Sequence, residues 1–349
     1  LWPKHGHEAD KLQFFAFYPD LNAGANLVNA TTVSGNEASI DYRINKFQIA
    51  SNIADQVDFI TAYTTGSMEE DMFSGINLEF KHKLSRIEVK AKSSNKSCKL
   101  EIAGVRIGGI NTQGTYKFKA EEEAGDWTID QTQTKKDVEY VYQPGDRIVA
   151  INSETTGVSI MGAPAGTSQY AMLLPDTYND GWDYAGDNSN AKKGMFISVL
   201  LRVLDKTPGG NDKQQYPYFD NSQGLNAMDI PRVYLAVRSN GIVNSRVYKK
   251  GNSYFSDEEC KKSYSLTAGE EVKEFGWAAL PVTGDWKAGY AYTYTLDYTS
   301  GVGLHDPSVT TASPKAGDPI ISDKVGVTVS VFDWQGGTNT THTIVIPGS

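Results

Sequence analysis

Cysteine is scarce. The 349 residues contain only Cys98 and Cys260, too few for a disulfide framework and without the paired spacing of a zinc site. Long hydrophobic runs are missing too: the densest, Met195 to Leu204, is broken by Ser198 and Arg202 and falls short of the roughly 20 residues a helix needs to cross a bilayer. No membrane-spanning segment is expected. Positive charge is in deficit, with 33 Lys and Arg against 42 Asp and Glu for a net charge of −9, and no Lys/Arg run. That balance argues against nucleic acid or an anionic membrane face as partner. The chain opens on Leu1-Trp2-Pro3 without Met, a charged start or an apolar leader, and so reads as processed or trimmed. Neither a phosphate-binding loop nor a nucleophile elbow occurs.

What is present is apolar and aromatic: 39% hydrophobic residues, with 19 Tyr, 13 Phe and 6 Trp, enough to fold around a core. The dominant period is two, the mark of half-buried strands. Ile76, Leu78, Phe80, His82 and Leu84 share one face, and Ile87, Val89 and Ala91 continue in the opposite parity, which predicts a bulge or bend near Ser85-Arg86. Leu100 and Ile102, then Val105 and Ile107 beyond Gly104, read as a strand pair. Further strands are expected at Ile197 to Val203, Val233 to Val237, Tyr290 to Tyr298 and Val325 to Val331. The single short helix is placed at Ser256, where Ser256 and Glu259 have capping-box spacing. Asp176 to Gly194 and Lys206 to Gln215 read as exposed loops.

Strand following strand, without alternating helices, implies an all-β chain of antiparallel sandwiches. Length favours two domains, with a boundary in the small, breaker-rich stretch Gly157 to Thr167: an N-terminal sandwich over 1–162 and a C-terminal one over 163–349. Cys98 and Cys260 then fall in different domains and are expected not to bridge.

Chemistry-bearing patterns are thin. His5 and His7 flank Gly6 without further ligands nearby, so they read as a solvated pair near the chain start. His82 reads as a hydrogen-bonded residue on an apolar face. Asp176, Asp180, Gly181 and Asp187 partly match a calcium loop, but Tyr178 takes a ligand place and the closing Glu is absent, so a polar turn is expected. The tyrosine stripe from Tyr290 is expected to pack a sheet face. No catalytic, cofactor-binding or metal-binding residue is assigned.

Several blocks together resemble the fimbrillin-like proteins, the type V pilin family of Gram-negative gut and oral bacteria. They are Leu1-Trp2-Pro3, Leu12-Gln13-Phe14-Phe15-Ala16-Phe17-Tyr18-Pro19, Leu78 to Val89, Met172-Leu173-Leu174-Pro175, Trp286-Lys287-Ala288-Gly289-Tyr290 and Val329 to Trp334, in the expected order along nearly the whole chain. The resemblance implies two tandem transthyretin-like β-sandwiches, export as a lipoprotein precursor, and a place at the cell surface in an outer-membrane-associated fimbria or pilus. It implies a structural and adhesive subunit, not an enzyme, with no cofactor. Its partners would be other fimbrial subunits, joined by β-strand donation after N-terminal processing, and host or bacterial surface ligands. Within Thr341 to Ile346, Ile344 and Ile346 are the candidate donor anchors, although a hairpin with the preceding valine strand is the expected fate in the isolated chain. The alternative is a surface carbohydrate-binding lipoprotein that does not polymerise, using Trp182 and Tyr184 as exposed loop aromatics. An enzyme whose facing carboxylates come together only in the fold stands third.

Overall fold

The computed structural model describes residue 7 and residues 9–19, 43–118, 126–162, 169–184, 194–207, 212–217, 230–311, 313–321, 324–334 and 339–344. In chain order the first strands are β1 (Leu12–Tyr18), β2 (Arg43–Gln48), β3 (Ile60–Gly66), β4 (Lys81–His82), β5 (Ser85–Lys92), β6 (Cys98–Ile110), β7 (Gln113–Lys117) and β8 (Asp126–Ile129). They are followed by β9 (Lys136–Val141), β10 (Val149–Ile151), β11 (Val158–Ser159), β12 (Ala171–Leu173), β13 (Thr177–Tyr178), β14 (Phe196–Asp205), β15 (Lys213–Tyr216) and β16 (Arg232–Arg238). The last are β17 (Val243–Lys250), β18 (Ser253–Phe255), β19 (Glu270–Pro281), β20 (Gly284–Asp285), β21 (Tyr290–Asp297), β22 (Leu304–His305), β23 (Gly326–Asp333) and β24 (Asn339–Ile344). Among the described residues a 3-10 turn, Ile53–Asp55, and one short α-helix, α1 (Met68–Asp71), interrupt them. The chain is nearly all β, as its period-two patterning requires, and its strands pair antiparallel except for β5 with β21.

Two large sheets dominate. One runs β10-β6-β14-β19-β16-β17-β18, with β9, β15 and β22 alongside; the other runs β11-β5-β21-β23-β24, with β12 also on β5. In β5, Ser85, Ile87, Val89 and Ala91 are buried while Arg86, Glu88, Lys90 and Lys92 are half-exposed, the one-faced burial of a strand with water on its other side. In β14 both alternating sets are buried, from Phe196 to Val203, apart from Arg202. Its neighbours β6 and β19 carry long buried runs too.

Both large sheets cross residue 162. Strand β6 pairs with β14 from Cys98↔Asp205 to Gly108↔Phe196, and β5 lies parallel to β21 from Ala291↔Arg86 to Asp297↔Lys92. The sequence halves on either side of the expected boundary therefore share hydrogen-bonded sheets and one contiguous buried cluster.

Local expectations are met and corrected. The parity slip near Ser85 is a change of sheet: β4 pairs with β3, whereas β5 enters the second large sheet. The stretch from Leu100 to Ile107 is one strand instead of two, and its register on β14 shifts between Leu200↔Gly104 and Leu201↔Ile102, leaving Ala103 as the extra residue of a bulge. Gly104 is required there, because a Cβ would lie 2.6 Å from the Tyr140 carbonyl oxygen. The helix expected at Ser256 is a turn, in which Asp257 Oδ1 accepts the backbone N–H groups of Lys261 and Lys262. The helix occurs at Ser67, whose Oγ accepts the N–H of Glu70. Cys98 and Cys260 are both free thiols.

Candidate functional site

Strand β1 lies at the edge of a three-stranded sheet, β1-β3-β4, paired antiparallel with β3 from Leu12↔Gly66 to Tyr18↔Ile60. The alternating aromatics of LQFFAFY favour a strand, yet none of its residues is fully buried, and Phe17 and Tyr18 are exposed. Its side-chain hold is a lid on an aromatic floor. The Phe15 ring meets Tyr63 at 5.0 Å and Phe118 at 5.8 Å, and Phe17 meets Phe118 at 6.0 Å. Below, Phe118 packs edge-on against Tyr116 at 5.1 Å, and Tyr116 against Phe59 and Trp127. Phe47, Phe59 and Tyr116 are fully buried. Burial holds the Tyr116 phenol neutral far above its usual range, and its hydroxyl shares a hydrogen bond with Thr61 Oγ1 at 3.2 Å.

The other terminal strand, β24, is the edge of the second large sheet. It pairs back on β23 from Phe332↔Asn339 to Val327↔Ile344, so the hairpin expected for the isolated chain is the arrangement found. Ile344 sits at the end of this ladder, and Ile346 lies outside the described residues. Trp334, at the turn end of the hairpin, is tied down from three directions. Its N–H donates to the Gly289 carbonyl at 2.9 Å, its ring stacks on His82 at 3.6 Å and 10°, and the Arg86 guanidinium lies 5.0 Å from its centroid. His82 is in turn paired through Nδ1 with Asp58. The turn end of the C-terminal hairpin is thus fastened to β4 and β5.

Of the two loop aromatics, Trp182 is a correction. It is 2% exposed, with its ring 6.0 Å from Phe196 and 6.1 Å from Tyr184, because the bridge between Gly181 and Met195 folds its loop onto β14. Tyr184 is half-buried and packs over Gly317. The tyrosine stripe packs as expected: Tyr292, Tyr294 and Tyr298 are buried. Tyr292 and Tyr294, with Tyr178, Tyr290, Val329 and Val331, border a groove of about 470 Å³, and three of its tyrosine hydroxyls are engaged. Tyr292 accepts the Lys287 N–H at 2.8 Å, Tyr294 accepts the Trp286 Nε1–H at 2.9 Å, and Tyr178 accepts the Asn111 N–H at 3.0 Å. Burial pushes the Tyr292 phenol up to about 12.

Charged groups inside are locked to one another. Glu101 accepts from Lys99 at 2.7 Å, Arg202 at 2.8 Å and Lys273 at 2.9 Å. Burial pushes its pKa upward, but those three cations outweigh burial and bring it down to about 2. Arg106 bridges Glu139 and Asp306 and lies 4.2 Å from the Trp277 ring. Asp176, from the calcium-like pattern, accepts from Asn111 Nδ2 at 2.6 Å and Gln131 Nε2 at 3.1 Å, and Asp187 of that pattern lies outside the described residues. Among the described residues, no group of three or more His, Cys, Asp or Glu is placed to hold a metal ion, and no helix is long and apolar enough to cross a membrane. The terminal edge strands and their partners are what the geometry offers for function, and their chemistry is backbone pairing along a sheet edge.

The fimbrillin-like family profile matches residues 2–195. No curated protein matches. Among solved structures, a fimbrial protein from Bacteroides vulgatus is similar at 10% identity and a TM-score of 0.48, over 92% of this chain and 77% of that one. A candidate cell adhesion protein from Bacteroides uniformis is similar at 13% identity and a TM-score of 0.33, over 93% of this chain and 73% of that one. Another from Parabacteroides distasonis is similar at 10% identity and 0.34, over 84% and 75%.

Proposed function

Because this chain belongs to the fimbrillin-like family, we propose that it is a structural and adhesive subunit of a cell-surface fimbria and joins its neighbours by strand exchange after N-terminal processing. Family membership carries the reading. The placement of both terminal strands at sheet edges supports the finer claim: removing β1 uncovers the edge of β3 and the Phe118 floor, and a strand from another subunit with alternating apolar residues suits such a vacancy. The segment bearing Ile344 and Ile346 is the candidate donor, leaving its hairpin on β23 to pair elsewhere. Export as a lipoprotein and attachment at the outer membrane belong to the same proposal, as do host or bacterial surface ligands.

The carbohydrate-binding alternative loses one of its two supports with the burial of Trp182. Electron microscopy of the full chain, before and after proteolytic removal of the residues through Tyr18, tests the assembly reading. Filaments are expected only after trimming, and a further deletion of residues 338–349 is expected to abolish them. A trimmed chain that stays monomeric at every concentration, yet is retained on glycan arrays, refutes it.

A further inference from the structure

Two surface features are left uncovered among the described residues and complement each other. The first is the tip between β3 and β4. Ser67 Oγ accepts the N–H of Glu70 at 3.2 Å, Asp71 Oδ2 accepts the N–H of Ser67 at 3.0 Å, and the Gly75 N–H closes on the Asp71 carbonyl at 2.9 Å. Gly75 adopts φ +78°, a conformation that favours glycine. Ile76 is set against Gly66, where a Cβ would fall 2.2 Å from its Cδ1. The turn held in this way presents Met72 at 50% and Phe73 at 95% exposure. Residues 67–80 contain Glu69, Glu70, Asp71 and Glu79 and no cation.

The second feature is the ribbon of β17 and β18 at the edge of the first large sheet. Residues 243–255 contain Arg246, Lys249 and Lys250 and no carboxylate. Arg246, Tyr248 and Lys250 alternate on one face, where Phe255 stands opposite Tyr248. Arg246 lies 5.4 Å from the Tyr248 centroid. The two cations are exposed and the two rings half-exposed. Arg246 also borders a cavity of about 510 Å³ with Asp137 and Glu139, but those carboxylates are engaged by the Gly109 N–H and by Arg106. In the next turn, Asp257, Glu258 and Glu259 stand against Lys261 and Lys262.

We propose that the tip of one copy docks on the ribbon of another, with Phe73 and Met72 against Tyr248 and Phe255, and Glu69 and Glu70 facing Arg246 and Lys250. An apolar anchor rimmed by complementary charge is the usual anatomy of a specific interface. Tip and ribbon are different patches, so the contact is heterologous: the two end copies of a docked row keep one tip and one ribbon free, and further copies add until the row closes on itself. It rests on the assembly reading for its biological role, and adds to strand exchange a lateral contact made by side chains.

The test uses sedimentation of the full chain with two surface variants: Met72→Ala/Phe73→Ala, which disables the tip, and Arg246→Glu/Lys250→Glu, which disables the ribbon. Each variant alone is expected to self-associate at least about tenfold more weakly than the parent, since losing an anchor or reversing facing charges costs more than about 1.4 kcal/mol. An equimolar mixture is expected to give a one-to-one dimer, because one partner keeps its ribbon and the other its tip. Adding Glu69→Lys/Glu70→Lys to the ribbon-reversed variant itself, whose apolar tip is intact, should restore its self-association. Unchanged association in both variants, or a mixture that stays monomeric, overturns the contact. So does a ribbon reversal that abolishes binding to dextran sulfate while self-association is unaltered, since the ribbon's partner would then be a polyanion. The mixed dimer needs no strand exchange, so repeating the mixture with residues 338–349 deleted separates the two: a dimer that persists supports this contact, its loss from a folded chain overturns it, and filaments still formed by the trimmed chain without residues 338–349 fault strand donation alone.

Discussion

The middle of the first large sheet and the first strand of the chain are both antiparallel β-structure rich in apolar residues, yet they are held in opposite ways. Strand β14 is paired on both sides, by β6 and by β19, and buried on both faces. Strand β1 is paired on one side, and its seven residues include none that is fully buried. Hydrogen-bond pairing is therefore available to both, and burial separates them. Backbone bonds exchange with water at little net gain, while apolar area removed from water does not. A strand held mainly by its backbone is replaceable by another strand of similar pattern; one gripped on two faces is not.

The sharpest way to break this comparison is to divide the chain at residue 162. Fragments 1–162 and 163–349 each lose the partners of β5, β6, β14 or β21, so neither is expected to unfold cooperatively alone, whereas co-expression should recover the native near-ultraviolet dichroism. A cooperative melt from either isolated fragment refutes it. Next in size is an acid effect at the centre. The Glu101 carboxyl titrates at about 2 in the folded protein and at about 4.3 in an unfolded chain, so its stabilisation is complete above the unfolded value and is withdrawn as pH falls toward the folded one. Glu101→Gln should flatten the fall in denaturation midpoint between about pH 4.5 and 2, and also lower stability at pH 7, because Lys273 and Arg202 lose their counter-charge. Equal slopes for variant and parent would falsify this. Smallest is the edge: Phe15→Ala is expected to cost about 1 kcal/mol, well under the about 3–5 kcal/mol of a fully buried Phe, while increasing protease access to β1. Equilibrium urea unfolding with limited proteolysis measures both, and a cost above about 3 kcal/mol would place β1 with the core.

Strands with strict alternation were legible in the sequence because period two states which residues share a face. Tyr290 to Tyr298 and Val325 to Val331 are found as β21 and β23, paired Tyr294↔Val329. Period two does not name a partner, and so the union of β6 with β14 across the expected boundary was illegible. A bulge has the same disguise: the extra Ala103 resembles a break between strands. Composition placed Trp182 at the surface because its neighbours are Asp, Asn and Gly, but contact with Phe196 decides its position, and nothing local encodes that. The capping-box spacing occurs at both Ser67 and Ser256; only the first forms a helix, since at the second Asp257 captures the following N–H groups in a turn. In the proposed contact, the exposure of Phe73 required the fold.

The parallel alignment of β5 with β21 sets an order of events during synthesis. Glu88 and Thr293, joined through their side chains, are separated by 205 residues, and closing so distant a contact is slow. While the chain grows, β5 has only β11 and β12 to pair with, and its opposite edge stays vacant until Asp297 has emerged. A polypeptide that cannot close this edge until Asp297 has been made stays unlocked while the residues separating Glu88 from Thr293 are added.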